Sequence, residues 1–161
     1  MPGGGAGLPR EGLWRVRVVD DDGERFSGLL ATRRDAVAVH YGLLDGTGIK
    51  LLQATVAEDG TRRIESVVEA VRETHLPAYL SRAVERIFLP GPGNGNCVRR
   101  GLARLCESTP GPGVARRESR IGPFRLWSVE YILGGMRAVP TVDRVRYRPW
   151  RQPRLQLQRL P

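Results

Sequence analysis

Cys97 is the residue of this sequence whose type and position best suit nucleophilic chemistry. It follows the glycine- and asparagine-rich stretch GNGN, residues 93–96. The pattern predicts a helix over residues 97–106, with Asn96 as the N-cap and Cys97 at the first helical position. The partial positive charge at a helix N-terminus favours a thiolate over a thiol. Cys97 is therefore a candidate nucleophile; the alternative is a buried cysteine that packs as a small hydrophobe, as we expect for Cys106.

A cysteine nucleophile needs a base, and His40 is the better candidate of the two histidines. His40 lies in a strand predicted over residues 35–44, where alternation places it on one face with Ala38 and Gly42. Such small neighbours leave room for a catalytic partner. The alternative is a sheet histidine whose hydrogen bonds are all satisfied locally. His75 follows a polar helix end, and we expect it to be exposed.

The elements that would position these residues alternate with glycine- and proline-rich turns. The hydrophobic pattern predicts strands over 14–19, 35–44 and 49–56, the last two joined as a hairpin by the turn DGTG. It predicts a short helix over 64–71 and a longer helix over 76–88. Residues 121–133 and 142–150 suggest one or two strands, or a strand and a short helix, and the tail from residue 151 is predicted to be loose.

Composition limits the classes of protein that this chain can form. Its 161 residues suit one domain with a buried core, and no apolar run is long enough to cross a membrane. Two cysteines do not make a disulfide framework, so we expect a reducing compartment. No group of Cys and His residues has zinc-site spacing, and we predict neither a metal nor another cofactor.

The net charge of +9 is concentrated in the last third of the chain. Residues 1–111 hold 15 basic and 14 acidic side chains, whereas residues 112–161 hold 11 arginines and three acids. Together with the turn pattern, this predicts a disordered segment over 1–12, a domain over 13–110 and a basic segment over 111–161 that packs partly on the domain.

The basic segment is predicted to bind RNA, because arginines contact phosphates and aromatic rings stack on unpaired bases. The alternatives are an ordinary solvated face with core aromatics and peripheral contact with a membrane surface. The candidate RNA-binding residues are Arg116, Arg117, Arg120, Arg144, Arg146, Arg148 and Arg151, and the interspersed aromatic residues are Trp127, Tyr131, Tyr147 and Trp150.

The order of His40-Tyr41-Gly42, a hairpin and Asn96-Cys97 resembles the H-box/NC pattern. It is similar to the lecithin:retinol acyltransferase and HRAS-like suppressor group, and more to the picornaviral 2A proteins of the H-box/NC type, such as those of kobuviruses. The resemblance implies an α+β fold, in which a small antiparallel sheet packs on helices in a circularly permuted papain-like (NlpC-like) domain. By the same resemblance, His40 is the base, Cys97 the nucleophile and Gln53 stands near the family's third polar group.

The function that this resemblance implies is that of a viral non-structural accessory protein in the host cytoplasm or at replication membranes. It would support RNA replication through contacts with RNA or with viral or host replication proteins. The alternative is a thiol-dependent phospholipase or acyltransferase that forms a cysteine acyl intermediate, and a cell-wall hydrolase is a more distant one. Because Gln53 matches the third polar group poorly, the sequence leaves open whether the chain is an enzyme, and it does not indicate an oligomeric state.

Overall fold

The computed structural model describes residues 7–134 and 141–161. In this part of the chain, eleven strands form one sheet, and two helices lie between the fifth and sixth strands. The strands are β1 (Glu11–Asp20), β2 (Gly23–Arg34), β3 (Ala38–Leu44), β4 (Lys50–Ala57), β5 (Arg62–Val67), β6 (Cys97–Arg100), β7 (Ala103–Gly111), β8 (Val114–Ile121), β9 (Phe124–Gly134), β10 (Thr141–Pro149) and β11 (Arg154–Arg159). The helices are α1 (Glu69–Arg72) and α2 (Leu76–Phe88).

The sheet is antiparallel, with the strand order β5-β4-β3-β2-β1-β11-β10-β9-β8-β7-β6. Every neighbouring pair is consecutive in the chain except β1 and β11, in which Val16 faces Leu157. We call this one non-consecutive pair the seam. It joins the half formed by β1 to β5 to the half formed by β6 to β11.

Side chains along each strand alternate between the two faces of the sheet. The face that packs against α2 is called the inner face, and the opposite one the outer face. On β1, the inner face holds Trp14, Val16 and Val18, all at most 4% exposed, whereas Arg15 and Arg17 are exposed on the outer face. The inner face is therefore the wall of the hydrophobic core.

Helix α2 confirms the helix predicted over residues 76–88. Pro77 lies in its first turn, where a missing N–H leaves no hydrogen bond unmade. Leu80, Val84 and Ile87 are buried on one side of the helix, and the ring of Phe88 lies 6.0 Å from that of Trp14. Burying each large apolar side chain contributes about 1.5–3 kcal/mol, so these contacts hold α2 against the inner face.

The predicted fold class, a small sheet packed on helices in a circularly permuted papain-like domain, is wrong. The helix predicted over 97–106 is the hairpin of β6 and β7, and the helix predicted over 64–71 is divided between β5 and α1. The tail predicted to be loose contains β11. In each segment, pairing with a neighbouring strand outweighs the weak local preference for helix or coil. The strand predicted over 14–19 and the hairpin of β3 and β4 are confirmed.

Strands on both sides of the predicted boundary after residue 110 belong to the same sheet. β7 ends at Gly111, and the strands that follow it fill the positions between β7 and β1. At the other end of the chain, β1 begins at Glu11, within the segment predicted to be disordered. Residues 1–6 of that segment lie outside the described residues.

Candidate functional site

His40 lies on β3 with hydrogen-bond partners at both ring nitrogens. Its Nε2 is 2.9 Å from Asp35 Oδ2, and its Nδ1 is 3.0 Å from Thr55 Oγ1. The Thr55 hydroxyl donates to the Glu65 carboxylate at 2.7 Å, so its oxygen can only accept a hydrogen bond from the imidazole. The backbone N–H of Val37, followed by the hydrogen bond from His40, lowers the pKa of Asp35.

Cys97 forms a disulfide with Cys106. The two residues face each other across β6 and β7, with their Cα atoms 4.1 Å apart. The turn between them contains Gly101 with a φ of +63°, in the left-handed region that favours glycine. The prediction that Cys97 begins a helix as a free thiol is therefore wrong, and the described residues contain no free cysteine. A disulfide-bonded sulfur is not a thiolate nucleophile.

The structure brings His40 and Gln53 onto neighbouring strands but does not bring Cys97 to them. Gln53 lies on β4 opposite Gly42, and its Oε1 accepts a hydrogen bond from Lys50 Nζ at 2.8 Å. Cys97 lies on the edge strand β6. In the sheet order, β2, β1, β11, β10, β9, β8 and β7 stand between the strands of His40 and Cys97. These positions do not form a catalytic pair.

Strand β10 places three of the predicted RNA-binding arginines on one face. Arg144, Arg146 and Arg148 are exposed and alternate with the buried Val145 and Tyr147. Residues two apart on an antiparallel strand are separated by about 6.8 Å, so the three arginines leave the outer face along a line of about 14 Å.

Two arginines that the sequence prediction did not include extend this line sideways. Arg15 of β1 and Arg144 of β10 both face Gln158 of the intervening β11. Arg154 is exposed at the start of β11. We call Arg15, Arg144, Arg146, Arg148 and Arg154 the arginine face. Within residues 7–134 and 141–161, none of these five arginines forms an ion pair with a carboxylate.

Arg116 and Arg120 also lie on the outer face, on β8, but acidic side chains balance their charge. Arg116 Nη2 is 3.6 Å from Glu130 Oε1 on β9. Arg120 pairs with Glu118, whose other oxygen is 3.8 Å from Arg125. These arginines therefore attract a polyanion less strongly than those of the arginine face.

Arg117, predicted to bind RNA, is instead buried in the core with its side chain 3% exposed. Its guanidinium donates to the Glu107 carboxylate at 3.0 Å and to the carbonyl oxygens of Arg86 and Leu89, each at 2.7 Å. Burial raises the pKa of the adjacent Tyr131 to about 12. Because β8 directs Arg117 to the inner face, this residue is not available to RNA.

Only one of the four aromatic residues predicted as stacking surfaces is exposed. Trp127, Tyr131 and Tyr147 belong to the core. Trp150 is 62% exposed just after β10, and the guanidinium of Arg151 lies 4.5 Å from its ring centroid. The end of β10 thus combines an exposed aromatic ring with a cation.

No protein-family model matches this chain, and no curated protein matches it. The resemblance to the H-box/NC proteins stays a prediction. Among the residues that the structure describes, no helix is long and apolar enough to cross a membrane.

Proposed function

We propose that this protein binds single-stranded RNA through its arginine face. The observation that supports this function is the set of five exposed arginines on β1, β10 and β11 that have no carboxylate partner in the described part of the chain. A guanidinium donates two parallel hydrogen bonds to a phosphate, and each contact releases a counterion from the nucleic acid.

The surface between these arginines has a shape that suits an extended RNA strand. A shallow groove of about 340 Å³ runs over the outer side of β1, β11 and β10. Gln156 and Gln158 of β11 line it between the arginines. Their amides can donate to and accept from sugar and base groups without adding charge. This combination favours phosphate contacts with little dependence on base sequence.

Trp150 favours unpaired RNA over a duplex. Bases in a single strand can stack on an exposed aromatic ring, whereas paired bases present only their edges. Arg151 lies against the same ring and keeps a positive charge beside it. RNA that crosses the arginine face along β10 would meet this ring at the end of the strand.

A role in viral RNA replication stays a prediction that rests on the resemblance to the H-box/NC proteins. We do not propose acyl transfer, because the Cys97 sulfur is bonded to Cys106 and no thiolate is available to form an acyl intermediate.

The test is the affinity for a short single-stranded RNA, measured by fluorescence anisotropy at low and moderate salt. We expect Arg144→Gln/Arg148→Gln to weaken binding by about tenfold or more at moderate salt. The slope of log K against log salt should become shallower by about 1.4, since each lost phosphate contact contributes about 0.7 for a single strand.

The matched control is Arg116→Gln/Arg120→Gln, which removes the same charge from the outer face of β8. It should weaken binding by less than about threefold, because acidic residues already balance both arginines. No binding at low salt, or an equal loss in the two double variants, would contradict the proposal. Binding to anionic vesicles in preference to RNA would assign the arginine face to a membrane surface instead.

A further inference from the structure

A cavity of about 790 Å³ lies between the two helices, the inner face and the β10–β11 turn, away from the arginine face. This volume is within the range of about 300–1,000 Å³ that is usual for small-ligand sites. Its walls are mainly apolar and include Val18 and Phe26 of the sheet, Val71 of α1, and Leu76 and Tyr79 of α2. Such a lining favours the hydrocarbon part of a ligand over water.

Tyr79 closes one side of the cavity without offering a free polar group to a ligand. Its hydroxyl donates to the carbonyl oxygen of Pro153 at 2.5 Å, which links α2 to the β10–β11 turn. The hydroxyl is therefore satisfied within the protein, and the tyrosine contributes its ring to the lining.

The polar groups around the cavity are cationic or neutral. Among the described residues that line it, no side chain is acidic. Arg25 is held by ion pairs with Asp20 and Asp22. Arg82 of α2 is exposed, and in the described part of the chain no carboxylate pairs with it. In the described part of the chain, Arg82 is thus a cation without a carboxylate partner beside a mainly apolar cavity.

We infer that this cavity binds a single-chain amphiphile that ends in a carboxylate. The alkyl chain packs between Phe26, Val71 and Tyr79, and the carboxylate accepts hydrogen bonds from Arg82. Burying each methylene of the chain contributes favourably, and the cation selects an anionic head group over a neutral one. This site is independent of the arginine face, because the two lie on different faces of the sheet.

The test uses dodecanoate as the probe, with isothermal titration calorimetry of the full chain below the micellar concentration. Dodecanol and acetate supply the alkyl chain and the head group separately. Ala78→Phe places a ring in the cavity from an exposed helix position, and Ala70→Phe is its control on α1, at an exposed position outside the lining. Arg82→Gln removes the cation, and Arg72→Gln is the matched charge control.

We expect dodecanoate to bind at one site per chain, dodecanol about tenfold more weakly, and acetate not measurably. Arg82→Gln should weaken dodecanoate binding by about tenfold, the size expected for one charge-assisted hydrogen bond. Ala78→Phe should weaken it at least tenfold, while both controls bind like the wild type.

The inference fails if dodecanoate shows no saturable binding, or if Ala78→Phe binds it as well as Ala70→Phe does. Equal affinities for dodecanoate and dodecanol, or no effect of Arg82→Gln, would overturn the assignment of an anionic ligand. Thermal unfolding of each variant shows whether it is folded. If Ala78→Phe does not fold, the comparison of Arg82→Gln with Arg72→Gln decides the outcome.

Discussion

Strands β8 and β10 each contribute three arginines to the same sheet, yet the two sets differ in exposure and in carboxylate partners. On β10 the arginines are two residues apart, so all three lie on the outer face. On β8, Arg116 and Arg117 are adjacent and therefore lie on opposite faces. The first pairs with Glu130 on the surface, and the second is buried with Glu107. Spacing along the strand and the nearest carboxylate, rather than the number of arginines, decide whether a cation is free.

The largest effect that tests this comparison is on stability. Arg117→Leu removes a buried guanidinium that pairs with Glu107 and donates to two carbonyl oxygens, so we expect the free energy of unfolding to fall by about 3–5 kcal/mol. Urea denaturation followed by circular dichroism measures it.

Arg148→Leu on β10 is the matched control and should change stability by no more than about 0.5 kcal/mol, because this arginine is exposed. Similar stabilities for Arg117→Leu and Arg148→Leu would show that Arg117 is not part of the core.

The next largest effect on stability comes from the disulfide, which joins β6 to β7, the neighbour of β8. Cys97→Ser opens a loop of ten residues, counted from Cys97 to Cys106, and should lower the free energy of unfolding by at most about 3 kcal/mol. Hydrogen exchange should increase first in β6, the edge strand, and much less in β8.

Wild-type protein under reducing conditions should match Cys97→Ser in stability. RNA affinity should stay unchanged in both, since the arginine face lies on β1, β10 and β11. A loss of RNA binding with the disulfide would mean that β6 contributes to the RNA surface.

A third prediction concerns Arg116 of β8, which loses its ion pair when Glu130 is replaced and then resembles the arginines of β10. Glu130→Gln removes the carboxylate beside Arg116 and should strengthen RNA binding by about threefold at low salt. Fluorescence anisotropy with the same RNA measures the change. Glu69→Gln on α1 makes the same change in net charge and should have little effect; an equal gain in both variants would mean that net charge alone controls affinity.

The smallest expected effect is on stability and concerns a carboxylate that accepts hydrogen bonds, compared with one that accepts none in the described part of the chain. Asp45, in the β3–β4 turn, accepts hydrogen bonds from Thr47 and from the N–H of Ile49, and the Thr47 side chain is the first cause of its lowered pKa. A lowered pKa in the folded state stabilises the protein above the ordinary value of 3.8, and this contribution is lost as the pH falls through the folded-state pKa.

Asp45→Asn should therefore be less stable than the wild type at neutral pH, and the difference should shrink below about pH 4. Thermal unfolding across this pH range measures it. The control is Asp21→Asn, because in the described part of the chain the Asp21 carboxylate accepts no hydrogen bond. A difference for Asp45→Asn that does not change with pH would contradict the role of its charge.

The elements that sequence analysis predicts best have their structural cause nearby in the chain. Helix α2 follows from the spacing of Leu80, Val84 and Ile87, and the hairpin of β3 and β4 follows from alternation around one turn. For β11, the alternating RLQLQR is itself a local strand signal and its neighbour β10 is one partner, but the other partner, β1, lies far away in the chain. The hairpin of β6 and β7 has a local signal in the sequence: Cys97 and Cys106 are each four residues from the two-residue turn of Gly101 and Leu102.

For the candidate site, too, sequence analysis predicts the features that depend on nearby residues and not those that depend on distant ones. The two-residue spacing of Arg144, Arg146 and Arg148 is enough to place them on one face of any strand. Nothing near Arg117 in the sequence indicates its burial, because Glu107 lies on another strand and the carbonyl oxygens that Arg117 contacts lie at the C-terminal end of α2. Whether an arginine is neutralised depends on register, which is a property of the whole sheet.

The seam also sets the order in which the molecule can assemble. All other strand pairs are hairpins or other consecutive neighbours, so each half can form from local contacts as it leaves the ribosome. In a chain that has not yet folded, joining Val19 to Arg154 closes a loop of about 135 residues, which costs about 4 kcal/mol of chain entropy. During synthesis, one edge of β1 therefore remains unpaired until β11 has been synthesised. In that interval, the β11 of another copy could take its place, which makes the seam the natural point for exchange between chains.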